Sequence, residues 1–151
     1  MLYIAYGSNL NKKEMNYRCP GAKVAFIGKV KDYELVFNYY ADIRPKKGSE
    51  VPVAVWEINK SQEKLLDNYE GYPTLYRKEY ISVTKEDGTT ETALVYVMNS
   101  EKQTPPSKDY IYRCAQGYKD CGLDVNFFIG RVNDAYKIFN NSLNKKVSKW
   151  I

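Results

Sequence analysis

The chain contains no histidine, and that absence removes whole classes of chemistry. Neither a Ser-His nor a Cys-His dyad can be assembled, and any metal would have to be held by carboxylates, thiolates or carbonyls. General acid-base work falls to Asp, Glu, Lys, Tyr or Cys. Cysteine is scarce as well: Cys19, Cys114 and Cys121 form neither a C-x-x-C pair nor an even framework, so the cytoplasm is the expected compartment. Apolar runs near eighteen residues are missing, as is a basic patch followed by an apolar stretch at the start. Neither a transmembrane helix nor a signal peptide is expected. The formal charge of +5 is not gathered into a basic stripe; Lys145, Lys146 and Lys149 crowd the end of the chain while the other charges mix signs. That pattern fits a solvated surface, and a nucleic-acid partner is not expected.

What is present fits one domain over residues 1–151, a length that buries roughly two thirds of the unfolded chain's surface. Leu2 to Tyr6 is a short apolar run broken by Gly7-Ser8, as a buried strand meeting a turn would be. Asn11 and Glu14 have capping-box spacing for a short helix that Cys19-Pro20 closes. Val24–Val30 and Glu34–Tyr40 read as two strands split by Lys31-Asp32-Tyr33, and the polar stretch 41–50 as a mobile connection before a strand over Val51–Ile58. Asn59 and Gln62 open a second helix with Leu65, Leu66 and Tyr69 on its apolar face, stopped by Gly71. Lys78–Thr84 and Thr92–Met98 flank the hairpin signal Asp87-Gly88. Ser107 caps a helix with Tyr110, Cys114, Tyr118 and Cys121 on one face, and Gly122 ends it. A last helix carries Val125, Phe128, Ile129, Val132, Tyr136 and Phe139 as a core stripe. Cys114 and Cys121 would lie about 10 Å apart along their helix, too far for a disulfide, and read as buried small hydrophobes.

Two segments carry chemistry. Tyr6-Gly7-Ser8-Asn9-Leu10 places a flexible glycine and small polar residues before a helix start, whose unpaired N–H groups suit a carboxylate or phosphate; taken alone such a segment is more commonly a plain strand-to-helix turn. Glu70, beside the glycine that ends the second helix, is an anion at the negative end of a helix dipole. Burial by Tyr69, Tyr72 and Tyr76 would raise its pKa towards neutrality, the range of a working acid or base, whereas pairing with Arg77 or Lys78 would make it an ordinary surface glutamate.

The order and spacing of these segments make the resemblance specific. Tyr3-Ile4-Ala5-Tyr6-Gly7-Ser8-Asn9-Leu10 resembles the opening signature of the γ-glutamylcyclotransferase family, including its plant avirulence-induced and antibiotic-pathway relatives, and Leu66-Asp67-Asn68-Tyr69-Glu70-Gly71 resembles the segment bearing that family's catalytic glutamate. The likeness continues through Tyr76-Arg77, Leu94 to Met98, Pro106-Ser107, Gly117-Tyr118 and Gly122-Leu123. It implies an α/β fold of the α+β type, a small mixed β-barrel with packed helices and a cavity at one side. The implied reaction is attack of a γ-glutamyl α-amine on its own γ-carbonyl, releasing 5-oxoproline and a free amine. Glu70 would then be the general base and acid, Tyr6, Gly7, Ser8, Asn9 and Leu10 the substrate-binding loop, and Tyr76 a pocket residue. The implied partner is a small γ-glutamyl compound, and the chemistry needs no metal and no cofactor. A non-catalytic small-molecule-binding module of the same fold is the alternative.

Overall fold

The computed structural model describes residues 1–148, with side chains described through residue 141, so the lysine-rich end falls outside the described side chains. Five strands, β1 (Leu2–Ala5), β2 (Lys23–Asn38), β3 (Tyr40–Glu57), β4 (Tyr76–Lys85) and β5 (Thr90–Met98), close into a barrel in the order β1-β3-β2-β4-β5. All neighbours are antiparallel except β1 and β5, which pair parallel with Tyr3 opposite Leu94. The alternation of apolar residues drives closure: Val53 and Val55 on β3 and Val83 and Val95 on β4 and β5 share one face of the sheet and are fully buried, as are Leu35, Ile43 and Leu94. Closing the sheet also removes its free edges.

The helices are α1 (Lys12–Arg18), α2 (Lys60–Glu70), α3 (Lys108–Asp120) and α4 (Val125–Ser148). Their starts follow the capping signals. Asn59 and Gln62 form a reciprocal capping box, Ser107 accepts from the Tyr110 N–H, and Asn11 accepts from the Glu14 N–H. In α1 the box is only half made, because the Glu14 carboxylate turns instead to Arg18 and Arg113. No helix among the described residues is long and apolar enough to cross a membrane.

The structure corrects the expected split at Lys31-Asp32-Tyr33. β2 runs through it as one strand, with Asp32 in the left-handed region at φ 62° and a register shift between Lys31 and Tyr33. The stretch 41–50 is likewise part of β3 rather than a loose connection. Residues 46–49 bulge between the pairs Tyr33↔Pro45 and Lys31↔Glu50, and the Asp32 carboxylate accepts from the Gly48 N–H at 3.0 Å. Gly48, at φ 86°, supplies a conformation that a side chain would strain. The core stripes are also narrower than expected. On α4, Phe128 and Val132 are buried but Ile129, Tyr136 and Phe139 are exposed, and on α2 Leu66 is buried while Leu65 is exposed.

Candidate active site

A cavity of about 410 Å³ opens where β1 runs out, and its wall contains both predicted segments. After Ala5 the chain bends at Gly7 into a 3-10 turn, Ser8–Leu10. The bend needs glycine for space: a Cβ there would come within 2.9 Å of the Tyr110 hydroxyl and 3.0 Å of the Ala41 Cβ. The turn's own bonds run from the Leu10 N–H to the Gly7 carbonyl and from the Asn11 N–H to the Ser8 carbonyl. They leave the N–H groups of Ser8 and Asn9 unspent, as at any helix start.

Asn9 fixes this turn. Its Nδ2 donates to the Tyr3 hydroxyl at 2.7 Å, its Oδ1 accepts from Arg18 Nη1 at 2.5 Å, and its carbonyl accepts from the Trp56 indole at 3.1 Å. Asn9→Ala would strand a buried phenol and one arm of a guanidinium. The expected loss is about 2 kcal/mol, or roughly 4–8 °C in Tm, measurable by thermal unfolding; an unshifted Tm would refute the tether.

Glu70 is the last residue of α2, and Gly71 closes the helix in the left-handed conformation at φ 66°. The carboxylate lines the cavity and makes no ion pair among the described residues. The ordinary alternative partners are engaged elsewhere: Arg77 pairs with Glu79, and Lys78 with Glu63 and Asp67. Half-buried, with its accessible side facing the cavity, Glu70 is pushed up to about 7 by loss of water, and the nearby Arg18 charge offsets this only in part.

The end of α2 is tied to the turn through Tyr69, whose hydroxyl lies 3.3 Å from Ser8 Oγ and accepts from Arg18 Nη2 at 2.6 Å. From the opposite wall Tyr76 donates to the Ala41 carbonyl at 3.2 Å, and Tyr6 donates to the Tyr96 carbonyl at 2.5 Å. Burial raises the pKa of Tyr3, Tyr6, Tyr76 and Tyr110, so these phenols stay neutral and act through O–H groups and ring faces.

Of the residues expected from sequence, Tyr6, Gly7, Ser8, Asn9, Glu70 and Tyr76 all line this cavity. Leu10 does not; its side chain is fully buried in the core, because the 3-10 turn points it inward. Tyr72 also departs from expectation: it lies under the Lys78 ammonium, outside the cavity wall. Sequence reasoning missed Arg18, Arg113, Tyr40, Leu75 and Tyr96 as lining residues. The spacing of Glu14 and Arg18, four apart on one helix, was the available hint for Arg18. Asp109 and Arg113 have the same spacing on α3, but the contact of Arg113 with Glu14 joins residues distant in sequence.

Comparison with known proteins covers the stretch that holds both segments. A family model described as gamma-glutamyl cyclotransferase, AIG2-like, matches residues 3–113, a range that includes the Tyr6–Leu10 loop and Glu70. The gamma-glutamylcyclotransferase of Mus musculus is 32% identical over 139 residues, and that of Homo sapiens 30%, each alignment covering 83% of this chain and 74% of the relative. A solved gamma-glutamyl cyclotransferase structure superposes with a TM-score of 0.79 at 29% identity, over 84% of this chain and 83% of that one.

Proposed function

Because the chain belongs to the gamma-glutamyl cyclotransferase, AIG2-like family and is an enzyme of that type, we propose that it converts a γ-glutamyl amino acid or γ-glutamyl amine into 5-oxoproline and a free amine, with Glu70 as base and then acid. The observation that carries this is the meeting, in one cavity, of a carboxylate pushed up to about 7 with no ion pair among the described residues and a turn whose Ser8 and Asn9 N–H groups are unspent.

The α-ammonium of the γ-glutamyl group gives a proton to Glu70, and the freed nitrogen closes onto the γ-carbonyl carbon. The tetrahedral intermediate collapses as Glu70 returns its proton to the amide nitrogen, the C–N bond breaks, and the amine departs. Over the whole reaction two protons leave the attacking nitrogen and two reach the departing one, so a carboxyl balanced near neutral pH suits both directions of transfer. The N–H groups of Ser8 and Asn9 bind the substrate α-carboxylate or the developing oxyanion. Asn9 is anchored on three sides, so these donors are set before substrate arrives. Tyr76 lines the pocket against the substrate. Nucleophile and electrophile belong to one molecule, so holding the ring-closing conformer supplies much of the acceleration.

The test is a panel of γ-glutamyl amino acids and γ-glutamyl amines incubated with purified protein, with 5-oxoproline measured by mass spectrometry. Release that depends on Glu70 supports the reading. Silence across the panel in folded protein that still binds these compounds would replace it with a binding module.

A further inference from the structure

Glu70 and the Ser8–Asn9 turn belong to different elements, and one side chain joins them. Arg18, the last residue of α1, lines the same cavity. Its Nη1 donates to Asn9 Oδ1 at 2.5 Å, and its Nη2 donates to the Tyr69 hydroxyl at 2.6 Å and to Glu14 Oε1 at 3.1 Å. The guanidinium carbon also lies 3.7 Å from the centre of the Tyr69 ring. Asn9 follows Ser8 in the turn, and Tyr69 precedes Glu70 in α2. The guanidinium therefore sets the spacing between the anion-holding donors and the carboxylate. Both terminal nitrogens are committed to protein acceptors, so Arg18 acts through its neighbours and not as a ligand for the substrate.

Its charge meets little competition at Glu70. From β1, β4, β5 and α3 the cavity presents the phenols of Tyr3, Tyr76, Tyr96 and Tyr110, joined by Tyr6, and burial holds all five neutral. β3 adds the Tyr40 ring, while the Asp42 carboxylate lies outside the cavity wall and accepts from the Met98 N–H at 2.9 Å. The cations are Arg113 and Arg18. Arg113 pairs with two carboxylates, Glu14 at 3.0 Å and Asp109 at 3.2 Å, and its side chain is 35% exposed, so counter-charge and water mute it. Arg18 is 11% exposed, shares the same oxygen of Glu14, and otherwise bonds neutral acceptors. It is the charge that offsets the desolvation of Glu70.

We propose that Arg18 is a positioning residue for the reaction proposed above, on which this assignment rests: it fixes Glu70 against the Ser8–Asn9 turn and supplies the positive charge that lets the buried carboxyl release its proton near neutral pH. The tether and the charge separate by substitution. Arg18→Gln removes the charge and keeps one donor for Asn9, and Glu14 retains Arg113, so no carboxylate is stranded. Arg18→Lys keeps the charge and loses the fork. Asn9→Ala cuts the tether and leaves the guanidinium in place.

In protein whose glutamates carry a carbon-13 label at the side-chain carboxyl, the Glu70 resonance, assigned by its loss in Glu70→Gln, reports titration without turnover. Its midpoint should rise by about one pH unit in Arg18→Gln and stay within about 0.3 unit of the wild type in Arg18→Lys and Asn9→Ala. The pH-dependent rise of kcat/KM for 5-oxoproline release should move with it. KM should increase by about 3–10-fold in Arg18→Lys and Asn9→Ala, where the turn is loosened and the charge is kept. An unmoved midpoint in Arg18→Gln, or an equal rise in all three variants, overturns the charge assignment and spares the enzyme; an unchanged KM in both tether variants overturns the positional half. If Arg18→Gln does not fold, Glu14→Gln decides: it leaves the guanidinium less compensated, so the midpoint should fall, and an unmoved one overturns the assignment. A midpoint that answers to Arg18, with no 5-oxoproline from any compound of the panel, keeps the coupling to Glu70 and overturns the reaction. Absence of both overturns both.

Discussion

Glu70→Gln is expected to lower kcat by about 10²–10⁴-fold, the range for removing a positioned general base, with a much smaller change in KM. Gln preserves shape and hydrogen-bonding reach but can neither take the ammonium proton nor return it. With the carboxyl at about 7, wild-type kcat/KM should climb as pH passes from 6 to 8, because the reacting form is the carboxylate. That limb should vanish from whatever activity the variant retains. The same burial has a second consequence, of opposite sign. A glutamate in the unfolded chain titrates near its ordinary 4.5, so between 4.5 and about 7 the native state binds a proton that the unfolded state has released. Stability therefore falls as pH rises through that window and stays reduced above it. Glu70→Gln removes this penalty. It should match the wild type below pH 4.5 and exceed it at pH 8 by as much as about 3 kcal/mol, since each tenfold difference in proton affinity between the folded and unfolded chain corresponds to about 1.4 kcal/mol. Steady-state kinetics and urea unfolding at pH 5 and pH 8 check both halves. A variant that retains more than about a tenth of wild-type kcat would refute the proposed role of Glu70.

The features legible in sequence were those fixed by neighbours along the chain. The Asn59–Gln62 box, the Ser107 cap, the Gly71 stop and the Gly7 bend each answer to a local rule, and each lies where its rule puts it. The polar composition of 41–50 suggests a connection because it blends two parts: Ala41 to Pro45 pair residue by residue with β2, whereas 46–49 bulge out of the ladder and Lys46, Lys47 and Gly48 are exposed. The barrel order could not be read from the strands themselves, since β1 pairs with β5 between Tyr3 and Leu94, more than half the chain apart. The family resemblance implied the barrel; composition and periodicity did not. The same locality explains the site. Glu70 and the Ser8 turn each carry a signal of their own, whereas Arg18 and Arg113 gain meaning only when α1 and α3 converge on Glu14.

Gly117→Ala is expected to loosen the substrate site from behind, and its effect can be weighed against that of another helix glycine. Gly117 lies in α3 where that helix presses on the 3-10 turn: a Cβ there would stand 2.6 Å from the Asn11 backbone nitrogen and 2.7 Å from both the carbonyl carbon and the Cβ of Leu10. These are mostly backbone atoms, so no flexible side-chain tip can move aside. Either α3 withdraws or the turn carrying Ser8 and Asn9 is displaced. Overpacking of this kind costs about 1–3 kcal/mol, against which alanine's better helix propensity returns up to about 1 kcal/mol. Gly130 is the counterpart. It is inside α4 with open space where a Cβ would go, so Gly130→Ala should collect the helix gain alone and stabilise by about 0.5–1 kcal/mol. The two substitutions are chemically identical and should move urea midpoints in opposite directions. Only Gly117→Ala should also raise KM for a γ-glutamyl substrate, by about 10-fold, because a shift of the turn by a few tenths of an ångström misaligns donors set for one carboxylate position. A Gly117→Ala protein with wild-type midpoint and wild-type KM would mean that α3 gives way instead, and that the turn holds its shape through the Asn9 contacts alone.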